Sequence, residues 1–444
     1  MVKLLVNTLL LFLISFTFFF SAQSQAPVWT FEECLNYALE KNIQVQTAAL
    51  QTNRNKINYE RATAAQLPSA NASIGQNLAW SKKFDSQNMS YGSLTGTNST
   101  SASFSSSIML FNGFQIRNQI NQSEINLESS KFYLESVKES VELNVLSAYL
   151  QILYAYESVS NAKKQIVVTQ EQLILAKERL ELGLISQSDY LQIKSELASE
   201  SLTLTDAESQ LILNKISLMQ LMEYPVNDSF EIVYPDIEQL LNQELRPVAN
   251  SIYNQSLSIR PEIKQAELNT QSALLDVDIA NAAYYPSLSM SAGIGTSFSD
   301  GSDYTNMEQL QNKLNPHVGL SLSIPIFQKK QAKSSVELAK IGITSAELTE
   351  INTKNELRKS VEQATANVIV AQKRYLSNQE SLRVQKESMD IATEKFSLGL
   401  VNSVDYLFER TSFIASESQL LQSKYKLLYS YKILDFYKGE AITL

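Results

Sequence analysis

The sequence predicts an α+β membrane protein with an internal twofold duplication. Four β-strands per chain would contribute to a trimeric twelve-stranded barrel, continued by long antiparallel coiled-coil helices. Three observations predict this. Stretches recur at a nearly constant offset, four segments alternate apolar with small polar residues, and proline-free stretches carry sustained heptads.

The duplication comes first, because a long internal period changes how every other pattern is read. "RLELGLISQSDYLQ" from Arg179 returns as "KFSLGLVNSVDYLF" from Lys395, 216 residues later. "SIMLF" from Ser107 returns as "SIPIF" from Ser323, and "ATAAQLPSANASIG" from Ala62 as "ANAAYYPSLSMSAG" from Ala280, aligned on Pro68 and Pro286. Each copy runs helix, Pro-Ser, alternating stretch, loop, alternating stretch, very long helix, Leu-Gly-Leu, long helix. This order divides the chain into a signal peptide (1–22), a helical segment (23–68), a strand pair (69–111) and a helical hairpin (112–222). After a linker (223–261), the second copy follows as a helix (262–286), a strand pair (287–327) and a hairpin (328–437), with a short tail (438–444).

At the N-terminus, Lys3, an apolar run from Leu9 to Phe20 and then "SAQSQAP" have the order of a secretory signal peptide, with Ala22 or Ser24 as cleavage points. The run is short of the ~20 residues a spanning helix needs, so export is expected rather than anchoring. Cys34, the only cysteine, follows Phe31, Glu32 and Glu33, which is not the small-residue context of a lipid-modified terminus. On the helical stretch "ECLNYALEKN" it reads as a buried, inert thiol. The formal charge is -9, and the mature chain without Lys3 is more acidic still, which argues against a nucleic-acid partner.

The four alternating segments have the period of two expected of strands. In the first, Ala70, Ala72, Ile74, Leu78 and Trp80 oppose Asn71, Ser73, Gly75 and Asn77; in the second, Ala102, Phe104, Ile108 and Leu110 oppose Ser101, Ser103, Ser105 and Ser107. The other copy sets Leu288, Met290, Ala292, Ile294 and Phe298 against Ser287, Ser289, Ser291, Gly293, Gly295 and Ser297. Its last segment sets Val318, Leu320, Leu322, Ile324 and Ile326 against His317, Gly319, Ser321 and Ser323. Half-buried strands of a soluble sandwich would alternate too. Segments of about ten residues, separated by polar loops at Ser81–Ser99 and Ser299–Asn315 in an exported chain, match membrane-barrel strands better. Four strands cannot close a barrel, and open edges in lipid leave backbone groups unpaired, so the membrane reading demands an oligomer, for which a trimer suffices. Trp80, Phe111, Phe298 and Phe327, near strand ends, read either as interfacial girdles or as ordinary packing.

Between Asn112 and Gly183 there is no proline, and about 70 residues at the helical rise would span roughly 105 Å. Val145, Ile152, Val159, Ile166, Leu173 and Leu180 recur every seven residues, with Ala148, Ala155, Ala162, Thr169 and Ala176 three places later. Large and small residues along one seam let helices approach closely. The second copy repeats this at Val361, Val368, Tyr375, Leu382, Met389 and Phe396, with Ala364, Ala371 and Ala392 between them. The return helices keep the beat at Tyr190, Leu197, Leu204, Leu211 and Leu218, then at Tyr406, Phe413, Leu420, Leu427 and Leu434. Each long helix should turn at Leu-Gly-Leu, where Gly183 and Gly399 supply backbone freedom. Ser188 or Asp189, and Ser403 or Asp405, are candidate caps of the return helices. The segment Glu223–Pro261, with Pro225, Pro235 and Pro247, reads as a mixed belt joining the halves.

Catalytic chemistry is missing. His317 is the sole histidine and sits on the polar face of a strand; Gly293 and Gly295 form only Gly-x-Gly, with no third glycine or following helix. "SDGSD" from Ser299 reads as a solvated turn rather than a cation site. No enzyme, cofactor or metal site is expected, and energy for transport would have to come from a partner.

With these features in view, the chain resembles the TolC-like outer-membrane efflux protein family from about Trp29 to Tyr437. The opening "WTFEECLNYALEKN" and the junctions "LPSANASIG" and "YPSLSMSAGIG" are similar to the family's, although the duplicated order carries more of the resemblance than any short motif. The resemblance implies a homotrimer in the outer membrane of a Gram-negative cell, its twelve-stranded barrel continued by an α-helical periplasmic tunnel. It also implies a periplasmic adaptor and an inner-membrane pump as partners, and a passive exit duct of a tripartite efflux or type I secretion system as the function. The entrance would lie at the helix tips. There Asp405 matches a position whose aspartates ring the entrance, and Asp189 and Ser188 match the closing network. The chain departs from the family where a gating tyrosine is matched by Phe396, a gating arginine by Val401 and a second ring aspartate by Phe408. Independently of the family, three Asp405 carboxylates near a threefold axis would attract cations, while a plain capping role for Asp189 and Asp405 is the simpler alternative. The turns Leu182-Gly183-Leu184 and Leu398-Gly399-Leu400 present apolar residues suited to docking the adaptor. The competing function is a secreted structural or adhesive coiled-coil protein with a soluble β module.

Overall fold

The computed structural model describes residues 28–444 except 228, 242–245, 301 and 303. The expected signal peptide, with Ala22 and Ser24, lies outside the described residues, as does part of the turn that begins at Ser299. In chain order the elements start with β1 (Val28–Trp29), α1 (Phe31–Lys41), α2 (Ile43–Ala64), β2 (Ser69–Asp85), β3 (Ser90–Asn112), α3 (Gln115–Glu181) and α4 (Gln187–Leu221). They continue with β4 (Glu231–Ile232), α5 (Glu238–Leu241), α6 (Ala249–Ile259), α7 (Pro261–Asn281), a 3-10 turn at Ala282–Tyr284 and β5 (Ser287–Ser299). The chain finishes through α8 (Asn306–Asn312), β6 (Asn315–Ser323), α9 (Gln331–Ser397) and α10 (Ser403–Lys438). The two longest helices, α3 and α9, have 67 residues each.

The described residues form two compact units, one of the chain up to Thr47 with Val137–Ile259 and Leu357–Leu444, the other of Ala48–Ser136 and Arg260–Glu356. The second unit holds an open antiparallel sheet in the order β2-β3-β5-β6. Its alternation sorts the residues as the pleat requires. Ile74, Leu78, Trp80, Phe104, Val318, Leu320 and Leu322 are each at least 50% exposed in the chain. On the other face, hydroxyls ladder across strands: Ser69 to Ser107 at 3.0 Å and Ser73 to Ser103 at 2.7 Å. Polar contacts tie helices of this unit, such as Ser129 Oγ donating to Asn269 Oδ1 at 2.8 Å and Gln122 Nε2 donating to Asp276 Oδ1 at 2.6 Å.

The loop expected at Ser81–Ser99 is instead mostly strand. Pairing continues through Trp80↔Gly96 and, past an irregularity between Lys82 and Phe84, to Asp85↔Ser90, leaving only residues 86–89 as a turn. Cross-strand pairs such as Phe84 on Tyr91, with ring centroids 5.1 Å apart, extend the ladder into a stretch too polar to read as strand. The segment between β5 and β6 also gains a short helix, α8, capped by Thr305 and Glu308. Gln309 from that helix accepts from Ser299 N and donates to Ser299 O, both at 3.1 Å, tying the helix back to the strand. The last strand ends at Ser323, before Ile326, where Pro325 has no N–H to give a ladder.

The first unit is built on the heptad seams. Val145, Ile152, Val159, Ala155, Ala162, Thr169 and Ala176 of α3 are buried, as are Val361, Ala364, Val368, Ala371, Ala392 and Phe396 of α9. None of the remaining seam residues is classed as exposed. The alternation of large and small residues is therefore a packing pattern in this chain. At the start of the described chain, Thr30 and Glu33 form a reciprocal capping box on α1, with Glu33 Oε2 accepting from Thr30 N at 2.8 Å. Cys34 behind it is fully buried, and burial pushes its thiol up to about 12, which makes it inert. The linker closes on the N-terminus: β4 pairs in parallel with β1, Trp29 packs on Tyr37, Tyr224 and Phe230, and Tyr149 Oη donates to Val233 O at 2.6 Å.

Candidate functional site

The two turns that raised the question of repetition, α3 to α4 and α9 to α10, lie together in the first unit. Both end their long helix in the same way. Gly183 and Gly399 have φ +72, and no atom lies within 4 Å of where a Cβ would stand, so the requirement for glycine is one of backbone conformation and not of space. Leu184 N donates to Arg179 O at 2.8 Å and Gly183 N to Leu180 O at 3.0 Å; Leu400 N and Gly399 N repeat the pattern onto Lys395 O and Phe396 O. These paired bonds define a Schellman motif at each helix end. Leu182, Leu184, Leu398 and Leu400 are thereby left 66–74% exposed at the tips.

The caps of the return helices differ from those expected. Ser186 caps α4 and Asn402 caps α10, not Ser188, Asp189, Ser403 or Asp405. Asp189 stands at the third helical position and completes a capping box. Its carboxylate accepts from Ser186 N at 3.1 Å and from Ser186 Oγ at 2.6 Å, while Ser186 Oγ accepts from Asp189 N. The other carboxylate oxygen of Asp189 accepts a short hydrogen bond from Ser403 Oγ, which also lies 2.5 Å from the side-chain amide of Gln192. A hydroxyl has one proton, so Ser403 donates either to the Asp189 carboxylate or to Gln192 Oε1, not fully to both. Hydrogen bonds from Ser186 and then Ser403 hold the Asp189 carboxyl below its ordinary value. Asp189 thus completes the capping box of its own helix and clasps the two return helices together.

Asp405 differs. Its backbone N–H is taken by Asn402 Oδ1 at 2.8 Å, and its exposed carboxylate meets no partner among the described residues. Ser188 is exposed and takes no part in the clasp, and Phe408 is 68% exposed. Phe396, matched to a gating tyrosine, is buried. Its ring stacks on Tyr406 with centroids 4.7 Å apart, against Ala176 and Ile193, and Val401 packs at the edge of this cluster.

Two interactions in this region were not anticipated from the sequence. Arg179 donates to Phe396 O at 3.1 Å, which also accepts from Gly399 N, and to Ser397 O at 2.7 Å, a carbonyl in the last turn of α9. Farther along α10, Arg410 is buried and donates to Glu200 Oε1 at 2.7 Å, to Gln165 O and to Thr169 Oγ1, tying α10 to both α4 and α3. The first turn of α4 could have been found, since Ser-x-x-Asp at Ser186–Asp189 is a capping-box pattern. Arg410–Glu200 could not, because the partners lie on different helices 210 residues apart. Between the two turns lies an open cleft of about 770 Å³ lined in part by Arg179, Asp189, Phe396 and Ser403.

Known proteins resemble this chain in sequence and in fold. The cation efflux system protein CusC of Escherichia coli strain K12 is 28% identical over 178 residues, 39% of this chain and 37% of that protein. Outer membrane protein TolC of the same strain is 23% identical over 219 residues, 47% of this chain and 43% of that one. The chain therefore matches less than half the length of these curated relatives. In fold the likeness extends much further: the Campylobacter jejuni CmeC outer membrane channel superposes with a TM-score of 0.78 at 19% identity, covering 92% of this chain and 85% of that one. The long helices and the sheet are shared with such channels. The outer membrane efflux protein family matches twice, over residues 34–222 and 252–440, and these stretches take in most of the sequence. The chain belongs to the outer membrane efflux protein family.

Proposed function

We propose that the protein is a passive exit duct in the outer membrane of a Gram-negative cell, assembled from three copies and not an enzyme. The observation that carries this is the open sheet, with a continuous apolar face turned outward: Ile74, Leu78, Phe104, Val318, Leu320 and Leu322. Monomeric soluble proteins rarely expose such a face, and lipid would cover it. The outer sides of β2 and β6 carry no strand partner among the described residues. In a bilayer those edges must pair, and β6 of one copy meeting β2 of the next closes twelve strands when three copies join. The helices then stand in the periplasm. The exposed leucines of the two turns would dock a periplasmic adaptor, and an inner-membrane pump would load the duct, as in a tripartite efflux or type I secretion system. An adhesive coiled coil with a soluble β module would instead bury the face that this sheet exposes.

At the entrance, three Asp405 carboxylates near a threefold axis would favour cations. Single-channel recording of detergent-purified protein in a planar bilayer tests the proposal. Small cation-selective events that lose selectivity in Asp405→Ala are expected. Unchanged selectivity would leave Asp405 as a helix-start residue only, and a protein that stays soluble without detergent and conducts nothing would sink the duct itself.

A further inference from the structure

The two passages from strand to long helix are built alike, but the first is strained at one position and the second at two. After β3, Gly113 and Phe114 both take left-handed backbone conformations, with φ of 65. At the positions 216 residues later, after β6, Lys329 and Lys330 do the same, with φ of 48 and 66. Glycine adopts this conformation freely, whereas lysine must force its Cβ against the backbone. The second copy thus keeps a lysine where the first has a glycine. Strain of this kind persists where the side chain does something.

What surrounds the pair indicates its task. β6 presents Val318, Leu320 and Leu322 on its apolar face, and beyond its end at Ser323 the chain stays apolar and exposed, at 62% for Ile324, 95% for Ile326 and 82% for Phe327. Gln328 then fixes the turn by donating to Ala283 O at 2.8 Å, which brings it beside Tyr284 and Tyr285, two more exposed aromatics. The next two residues are Lys329 and Lys330. Both are exposed, and neither has an ion pair or a side-chain hydrogen bond among the described residues. The order is aliphatic, then aromatic, then cationic, which is the order of a membrane boundary from acyl chains to headgroups. These residues follow directly on a strand whose apolar face, on the membrane reading above, lies against lipid, which favours headgroups over a protein partner.

We infer that Lys329 and Lys330, with Ile326, Phe327, Tyr284 and Tyr285, form a binding surface for anionic phospholipid headgroups of the leaflet that faces the helices. The lysines meet the phosphates, and the aromatic and aliphatic residues dip toward the acyl chains. This rests on the membrane reading above. It adds a headgroup preference that barrel insertion alone does not need.

The test uses the full chain with Trp80→Phe and Phe327→Trp, reconstituted into phosphatidylcholine vesicles that contain brominated phosphatidylglycerol or brominated phosphatidylcholine. Fluorescence of the Trp80→Phe parent is subtracted to isolate the new tryptophan. Quenching should favour the anionic lipid about fivefold or more. Adding Lys329→Gln and Lys330→Gln should bring the preference close to parity. Lys329→Gly, which keeps the backbone and relieves it, should weaken the preference while raising the melting temperature, which separates lost charge from lost folding. Equal quenching by the two lipids, a preference that survives in the double glutamine variant, or a tryptophan that neither lipid quenches would each overturn the inference and leave the duct intact. A protein that fails to enter vesicles at all would overturn both.

Discussion

Asp189 shows how one carboxylate can serve two structures. Toward its own helix it completes the Ser186 capping box, and toward the other return helix it receives Ser403. Since the folded carboxyl titrates below its ordinary value, the clasp is fully formed above about pH 4 and is lost as pH falls through the lowered folded value. Amide exchange at residues 186–190 and 402–405, corrected for intrinsic rates, should therefore accelerate below about pH 4 in the wild type. In Asp189→Asn exchange should already be fast at neutral pH, with no acid step. Identical profiles for the two proteins would show that the charge plays no part in holding the turns together.

Among the helices, apolar burial supplies the seam and Arg410 supplies a fixed crossing point. Its guanidinium, 6% exposed against Glu200 at 7%, joins α10 to α4, and its contacts with Thr169 and Gln165 reach α3. A buried pair is weak evidence for stability by itself, because desolvation offsets attraction. Breaking it is another matter. Arg410→Ala would leave Glu200 buried and uncompensated, a loss of about 3–5 kcal/mol, whereas Arg410→Met with Glu200→Leu should be close to neutral. Denaturant unfolding of the three proteins measures this. If the single and double variants unfold alike, the pair does not act as a unit. The exposed turns beyond it would then depend on the heptad packing alone for their placement.

For the whole molecule, the sheet decides where the protein can reside. Leu320 lies on the outward apolar face and Ser321 on the hydroxyl face. An arginine at the lipid-facing position costs about 2–4 kcal/mol at the bilayer midplane, and little on a water-filled lumen. Leu320→Arg should therefore reduce the yield of heat-resistant, membrane-inserted oligomer on gel electrophoresis, while Ser321→Arg should insert normally and lower conductance instead. Equal loss in both would mean that the two faces are not in different solvents.

Local patterns were enough for much of this fold. Period two marked the strand faces from Ile74 to Leu322, and period seven marked the seam from Val145 to Leu434. The Leu-Gly-Leu turns located both helix ends, because left-handed backbone is expensive for any residue except glycine. These signals survive in sequence because each depends on neighbours within a turn or a pleat. What only the tertiary structure decided depends on residues brought together from far apart. The pairing of Phe84 with Tyr91 turned an expected loop into strand, and Ser186 and Asn402 proved to be the caps once the backbone direction was known. The stacking of Phe396 on Tyr406, the Ser403–Asp189 clasp, the Arg410–Glu200 pair and the paired left-handed lysines exist only in three dimensions. A hydrogen bond between residues 214 apart leaves no period behind it, whereas a buried face must repeat with its helix or strand.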